Sequence, residues 1–140
     1  MRKNLSLIFK EFVSMPTRDE KINTLRYNFC IEMECILRGA FHPGIVFDLQ
    51  APPYKTMISP DGMGYSTLVD ELSRVYIFET HSPLKPKNLT KKRQREIMIQ
   101  LLESLDRQEG ILMAGMFNKN LNIPGLDYAI VKEAFPNLLP

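Results

Sequence analysis

The feature that most restricts the fold is a recurring pattern: a capping residue, then apolar residues three and four positions apart, then proline or glycine. Thr90 is placed to cap a helix with a basic first turn and with Ile97, Leu101, Leu102 and Leu105 along one face. Asp106 followed by Glu109 has capping-box spacing and opens a helix carrying Ile111, Leu112, Met116 and Phe117. Leu126, Ile130, Val131, Ala134 and Phe135 repeat the pattern until Pro136 stops it. Upstream, Leu5, Ile8, Phe9, Phe12 and Val13 share a face over residues 3–14. Thr17 and Glu20 open a helix that buries Ile22 and Leu25. Phe29, Met33, Ile36, Leu37 and Ala40 predict a helix from about 29 to 41, and Leu68, Leu72, Val75 and Tyr76 predict another over 67–78. Seven helical patterns without a sustained alternating strand predict an all-α fold, a compact bundle of about seven short helices in a single domain over residues 1–140.

Composition bounds the function. A hydrophobic share of 44% with 24% charged residues is ordinary for a globular chain of 140 residues. No run approaches the ~18 apolar residues of a membrane span. The basic start MRKNLSLIFKEF meets Lys10 and Glu11 before a signal-peptide core forms, so an intracellular protein is expected. Cys30 and Cys35, five apart on a predicted helix, fall on different faces and are expected to stay reduced. His42 and His81 are the only 2 histidines, and neither sits in HExxH or beside CxxC, so no metal site and no cofactor are expected. Gly62, Gly64, Gly110 and Gly115 fit neither GxxxxGK nor GxGxxG; the two helical ones read as positions of close packing. Glu103, Asp106 and Glu109 surround a helix boundary and read as caps. Ser66 and Ser104 have no histidine placed to suggest a triad. Nothing here argues for an enzyme or for a small-molecule substrate.

Charge and proline do carry information. The formal net charge is only +2, yet six of the nine basic residues beyond position 80 lie between Lys85 and Arg95. Lys85, Lys87, Lys91, Lys92, Arg93 and Arg95 could be a solvated helix start. Against that reading, cations in a first helical turn oppose the helix dipole, whereas a helix N-terminus with added lysines suits a phosphate. The stretch from His42 to Ser66 holds four prolines and three glycines in 25 residues and reads as one long loop. Within it, Ile45–Phe47 has strand character but no evident partner, and Pro52, Pro53 and Tyr54 read as an extended segment anchored by the tyrosine.

Ala51–Lys55 (APPYK), Gln100–Ser104 (QLLES) and Val131–Leu139 (VKEAFPNLL) resemble a family of small uncharacterised proteins from T-even-like tailed phages, nearly end to end. TRDEKINTLRYN from Thr17, the 67–78 helix and the ending AIVKEAFPNLLP are also similar, to a lesser degree, to the helical N-terminal DNA-binding domain of T-even-type phage ATP-dependent DNA ligases. The second resemblance implies a ligase-like module that grips duplex backbone. It does not imply ligation, because the KxDG of the nucleotidyltransferase is missing: Asp61-Gly62 follows Ser59-Pro60. Where the ligase module has a short glycine-containing turn, this chain has the longer Asn118–Asp127, with Gly125 and Lys119 as the corresponding contacts.

The expectation is a non-enzymatic phage accessory protein that binds duplex DNA without sequence preference, possessing no cofactor and working in the cytoplasm of an infected bacterium. Its contacts would be Lys85, Lys87, Lys91, Lys92, Arg93, Arg95, Lys119 and Gly125. The rival expectation is a protein-interaction module for a host or phage replication, transcription or virion component, using Pro52, Pro53, Tyr54 and Met57. A virion structural subunit is the third.

Overall fold

The structure is a computed structural model that describes residues 4–56 and 64–140. Six of its seven α-helices begin on a side chain that accepts a hydrogen bond from an otherwise unpaired amide of the first turn. Asn4 starts α1 (Leu5–Ser14), Thr17 starts α2 (Arg18–Tyr27), and Thr67 starts α4 (Leu68–Leu72). Thr90, Asp106 and Asp127 start α5 (Lys91–Ser104), α6 (Arg107–Phe117) and α7 (Tyr128–Ala134). Only α3 (Ile31–Phe41) lacks such a cap: Cys30 stands at that position, extended like the other caps, and its sulfur is a weak acceptor. Cys30 is therefore not helical, and the helical spacing expected between the two cysteines does not apply. Neither forms a disulfide, and both are half-buried.

The architecture is all-α among the described residues, as the apolar spacing predicts. Helix α6 occupies the middle, packing against α1, α3 and α5, while α2 joins α1 to α7 and α4 lies on α3. One continuous cluster of buried side chains runs from Leu5 to Leu139, with Phe12, Phe78, Phe117, Met98 and Met113 among its largest fully buried members. Phe117, at the end of α6, meets Phe47 and Phe78 edge-on, with ring centroids 5.2 and 5.3 Å away. Gly115 makes room for the chain that follows it rather than for a neighbouring helix: a Cβ there would stand 2.9 Å from the Asn120 carbonyl oxygen.

Two local expectations change. The single helix foreseen over 67–78 divides into α4 and a 3-10 helix, Val75–Phe78. The Ser73 hydroxyl donates to the Asp70 carbonyl, and after it the backbone bonds tighten to three-residue spacing, Arg74 to Glu71 and Ile77 to Arg74. The tighter winding places Val75 and Phe78, three apart, on the same side, and both are buried. Ile45–Phe47 does find a partner: Phe47 forms an isolated antiparallel bridge with Glu79. The Thr80 amide donates to Val46 O and the Asp48 amide to Phe78 O, each at 2.7 Å.

Candidate nucleic-acid interface

Many of this chain's cations act inside the fold. A helix ends in carbonyls without intrahelical donors, at the negative end of its dipole, and a nearby lysine or arginine answers both deficits. Lys21 donates to the carbonyls of Phe12 and Val13 at the end of α1, and Arg26 to those of Glu133 and Ala134 at the end of α7. Lys132 reaches the carbonyls of Pro136 and Leu139. Arg18 pairs with Glu133 on the surface.

Lys119, one of the expected DNA contacts, belongs to this internal set. Its ammonium donates to Gly39 O at 2.6 Å, Ile45 O at 2.7 Å and His42 O at 3.1 Å, and lies 5.6 Å from the centre of the Phe47 ring. These contacts close the end of α3 and hold the chain that leaves it. Burial lowers the Lys119 pKa. Lys119 itself has positive φ, 57°, an uncommon backbone for a non-glycine residue, which turns the chain after α6 so that the side chain can reach back to α3. Gly125 has φ 80° and follows Pro124, with Leu126 N donating to Ile123 O at 3.1 Å. That is the pattern of a type II turn, which requires glycine at its third position. Its nearest side chain is Lys21, already turned toward α1, so Gly125 is separated in role from the α5 cluster.

The 85–95 run also divides. Asp48 is the centre of a part-buried polar network: it accepts from Lys85 Nζ at 2.7 Å, Gln94 Nε2 at 2.6 Å and Thr80 Oγ1 at 2.8 Å. Gln94, on the inner face of α5, completes its bonding with the Ile77 carbonyl. Burial on its own would raise the Asp48 pKa; the hydrogen bonds from Lys85, Gln94 and Thr80, with the Lys85 charge, outweigh it and hold the carboxyl below its usual value. Lys85, another of the expected DNA contacts, is thus paired with Asp48 within the fold. Lys91 leans on the Asp48 carbonyl at 3.4 Å, and Arg93 pairs with Glu96 at 3.3 Å in the open. Lys87, Lys92 and Arg95 are exposed, and no described residue bonds to their side chains. Lys92 and Arg95 are three residues apart on α5, about 4.5 Å of helix rise.

The proposed partner loop is held down at both ends. The Ala51 amide donates to Asn118 Oδ1 and the Lys55 amide to Glu103 Oε2, at 2.9 and 2.8 Å. Tyr54 is half-buried with its ring over Gly110, where burial raises the phenol pKa; Pro52 is half-buried and Pro53 exposed. Tyr54 thus anchors the segment, as its sequence suggests. Met57, the other member of that set, and Asp61-Gly62 lie outside the described residues.

Two acids carry more than the sequence reading gave them. Asp48 was not singled out, and Glu109, read as half of a capping box, instead reaches across to accept from the Leu68 amide at 2.9 Å. Their partners are far away in sequence, so only the preference for pairing buried carboxylates could have drawn attention to them. An apolar groove of about 290 Å³ between α1, α6 and the 121–124 segment was equally unforeseen; Phe9, Val13, Ile111, Leu112, Ile123 and Pro124 contribute to its walls. No group of three or more His, Cys, Asp or Glu side chains among the described residues is placed to hold a metal, and no described helix is long and apolar enough to cross a membrane. In comparisons with known proteins, no family model matches the chain and no curated protein matches it significantly.

Proposed function

We propose that this chain is a non-enzymatic accessory protein that binds the backbone of duplex DNA without sequence preference, through Lys87, Lys92 and Arg95, with Lys91 and Arg93 at the edge. The observation that carries the reading is the division of the basic residues: Lys85 and Lys119 are bound within the fold, whereas these three, around the start of α5, are exposed and without partners among the described residues. Cations gathered at a helix start oppose the dipole and add little to folding, so an external anion accounts for them better than stability does. Phosphate contacts position a protein without reading bases, which fits a surface of lysine and arginine with no aromatic among them. The sequence resemblance to a phage ligase module supports the same reading and a role in phage DNA metabolism.

Replacing Lys87, Lys92 and Arg95 together by glutamine is the test, with titration onto two duplexes of unrelated sequence. Binding is expected to weaken equally on both, by roughly tenfold for each lost contact at about 50 mM salt. Lys119→Met, at a cation bound inside the fold, is expected to leave duplex affinity unchanged. Wild-type affinity in the triple variant would refute the assignment. A folded wild-type protein that ignores DNA would favour the second reading, a protein-interaction module. The apolar groove between α1 and α6 supports that reading better than the inward-turned Tyr54 does.

A further inference from the structure

The start of α6 carries two buried carboxyl groups that the DNA surface does not use. Asp106 is 1% exposed and Glu109 is 8% exposed. Asp106 Oδ1 accepts from the Glu109 amide at 2.8 Å, which makes it the cap of α6. The Glu109 side chain shares a hydrogen bond with Asp106 and, through Oε2, accepts from the amide of Leu68, the first residue of α4. Around that contact the preceding chain is pressed onto the α5–α6 joint. The Ser66 amide donates to Ser104 O at 3.0 Å, and a Cβ on Gly64 would stand 2.6 Å from the Asp106 nitrogen and 2.8 Å from Ser104 O. That approach leaves no space for any side chain.

We propose that Asp106 and Glu109 form a pH-sensitive latch, which holds the segment from Gly64 to Leu72 against the α5–α6 joint while the pair shares a proton and loosens it when that proton leaves. With the proton present, Glu109 donates to the Asp106 carboxylate and still accepts from Leu68. Without it, two carboxylates confront one another in a dry site, and repulsion separates what the proton joined.

The surroundings sharpen the effect. The charged groups acting on Glu109 most strongly are acidic, Asp106 on its own helix and Glu32 on α3. From α4 it receives the Leu68 amide, and the buried Glu71 of that helix is occupied by the Ser66 hydroxyl at 2.7 Å, with Arg74 at 4.0 Å. From the 51–56 segment, Tyr54 covers the neighbouring Gly110 with a phenol that burial keeps protonated. Burial first, and then the hydrogen bond and charge of Asp106, push the Glu109 pKa up to about 7 from 4.5. A folded-state value raised in this way means that the stabilisation is complete below about 4.5, declines as the pH rises, and is gone above about 7.

Amide hydrogen exchange on the full chain, corrected for intrinsic rates, tests the latch. If Glu109 titrates at 4.5 when the segment is open and at about 7 when it is closed, the opening equilibrium rises about tenfold between pH 6 and pH 8. Protection over 64–72 is expected to fall by that factor while Phe117 and Met98 keep theirs. Glu109→Gln, which keeps the acceptor for Leu68 and cannot ionise, should abolish the change. Asp106→Asn retains an equally good cap and removes the repelling charge, so the loss of protection between pH 6 and pH 8 should shrink; a loss as large as in the wild type would show that Asp106 is not the repelling group. Unchanged protection across the pH range, a uniform loss over the whole chain, or an undiminished pH response in Glu109→Gln would each overturn the proposal.

Discussion

Phe117→Ala is expected to destabilise the protein by about 4 kcal/mol, within the ~3–5 kcal/mol range of buried phenylalanine truncations. Phe117 is 2% exposed and sits where three separate parts of the chain meet. Its ring receives Phe47 from the segment after α3 and Phe78 from the 3-10 helix, both edge-on, an arrangement that adds about 0.5–1.5 kcal/mol per pair beyond buried area. Removing it opens a cavity that two other aromatics line and loosens the bridge between Phe47 and Glu79. Denaturant titration monitored by circular dichroism measures the loss. A change below about 1.5 kcal/mol, the scale of conservative hydrophobic swaps, would mean that the three rings do not meet as described.

Asp48→Ala is expected to lower stability by about 2 kcal/mol at neutral pH, below the ~3–5 kcal/mol of breaking a fully buried ion pair because water retains some access to both partners. The substitution leaves the Lys85 ammonium without its counter-charge and the buried Gln94 with one of its two acceptors. The same group fixes a pH dependence. With the Asp48 pKa held below the ordinary 3.8, its contribution is complete above that value and is lost as the pH falls through the lower folded-state value. Acid titration should therefore unfold the wild type over a range in which Asp48→Ala shows a smaller slope. Equal acid sensitivity of the two proteins would show that the carboxylate is not held by these partners.

Local chemistry made much of this fold legible. Thr17, Thr90 and Asp106 announce their helices because a cap and the amide it serves are three residues apart, and the apolar faces that follow need only the helical period. The division at Ser73 was hidden because Val75 and Phe78 satisfy a helical pattern as well as the tighter winding they adopt. The candidate interface was harder. In sequence, Lys85 and Lys87 are equivalent members of one basic run. They differ only in that Asp48, 37 residues before Lys85, arrives opposite one of them. Lys119 was singled out as the only cation near its turn, yet the carbonyls it satisfies come from 74–80 residues earlier. Which cation faces a carboxylate, a helix end or solvent is decided by tertiary packing, and composition records only their number.

The salt dependence of binding to a mixed-sequence duplex tests the division of the cations most directly. Each phosphate neutralised contributes about −0.9 to the slope of log affinity against log salt, so contact by Lys87, Lys92 and Arg95 predicts a slope near −2.7. The triple glutamine variant should bring it close to zero, and Lys119→Met should leave it unchanged. The same slope in the triple variant, or no binding by folded wild-type protein at about 50 mM salt, where backbone contacts are strong, would contradict the account.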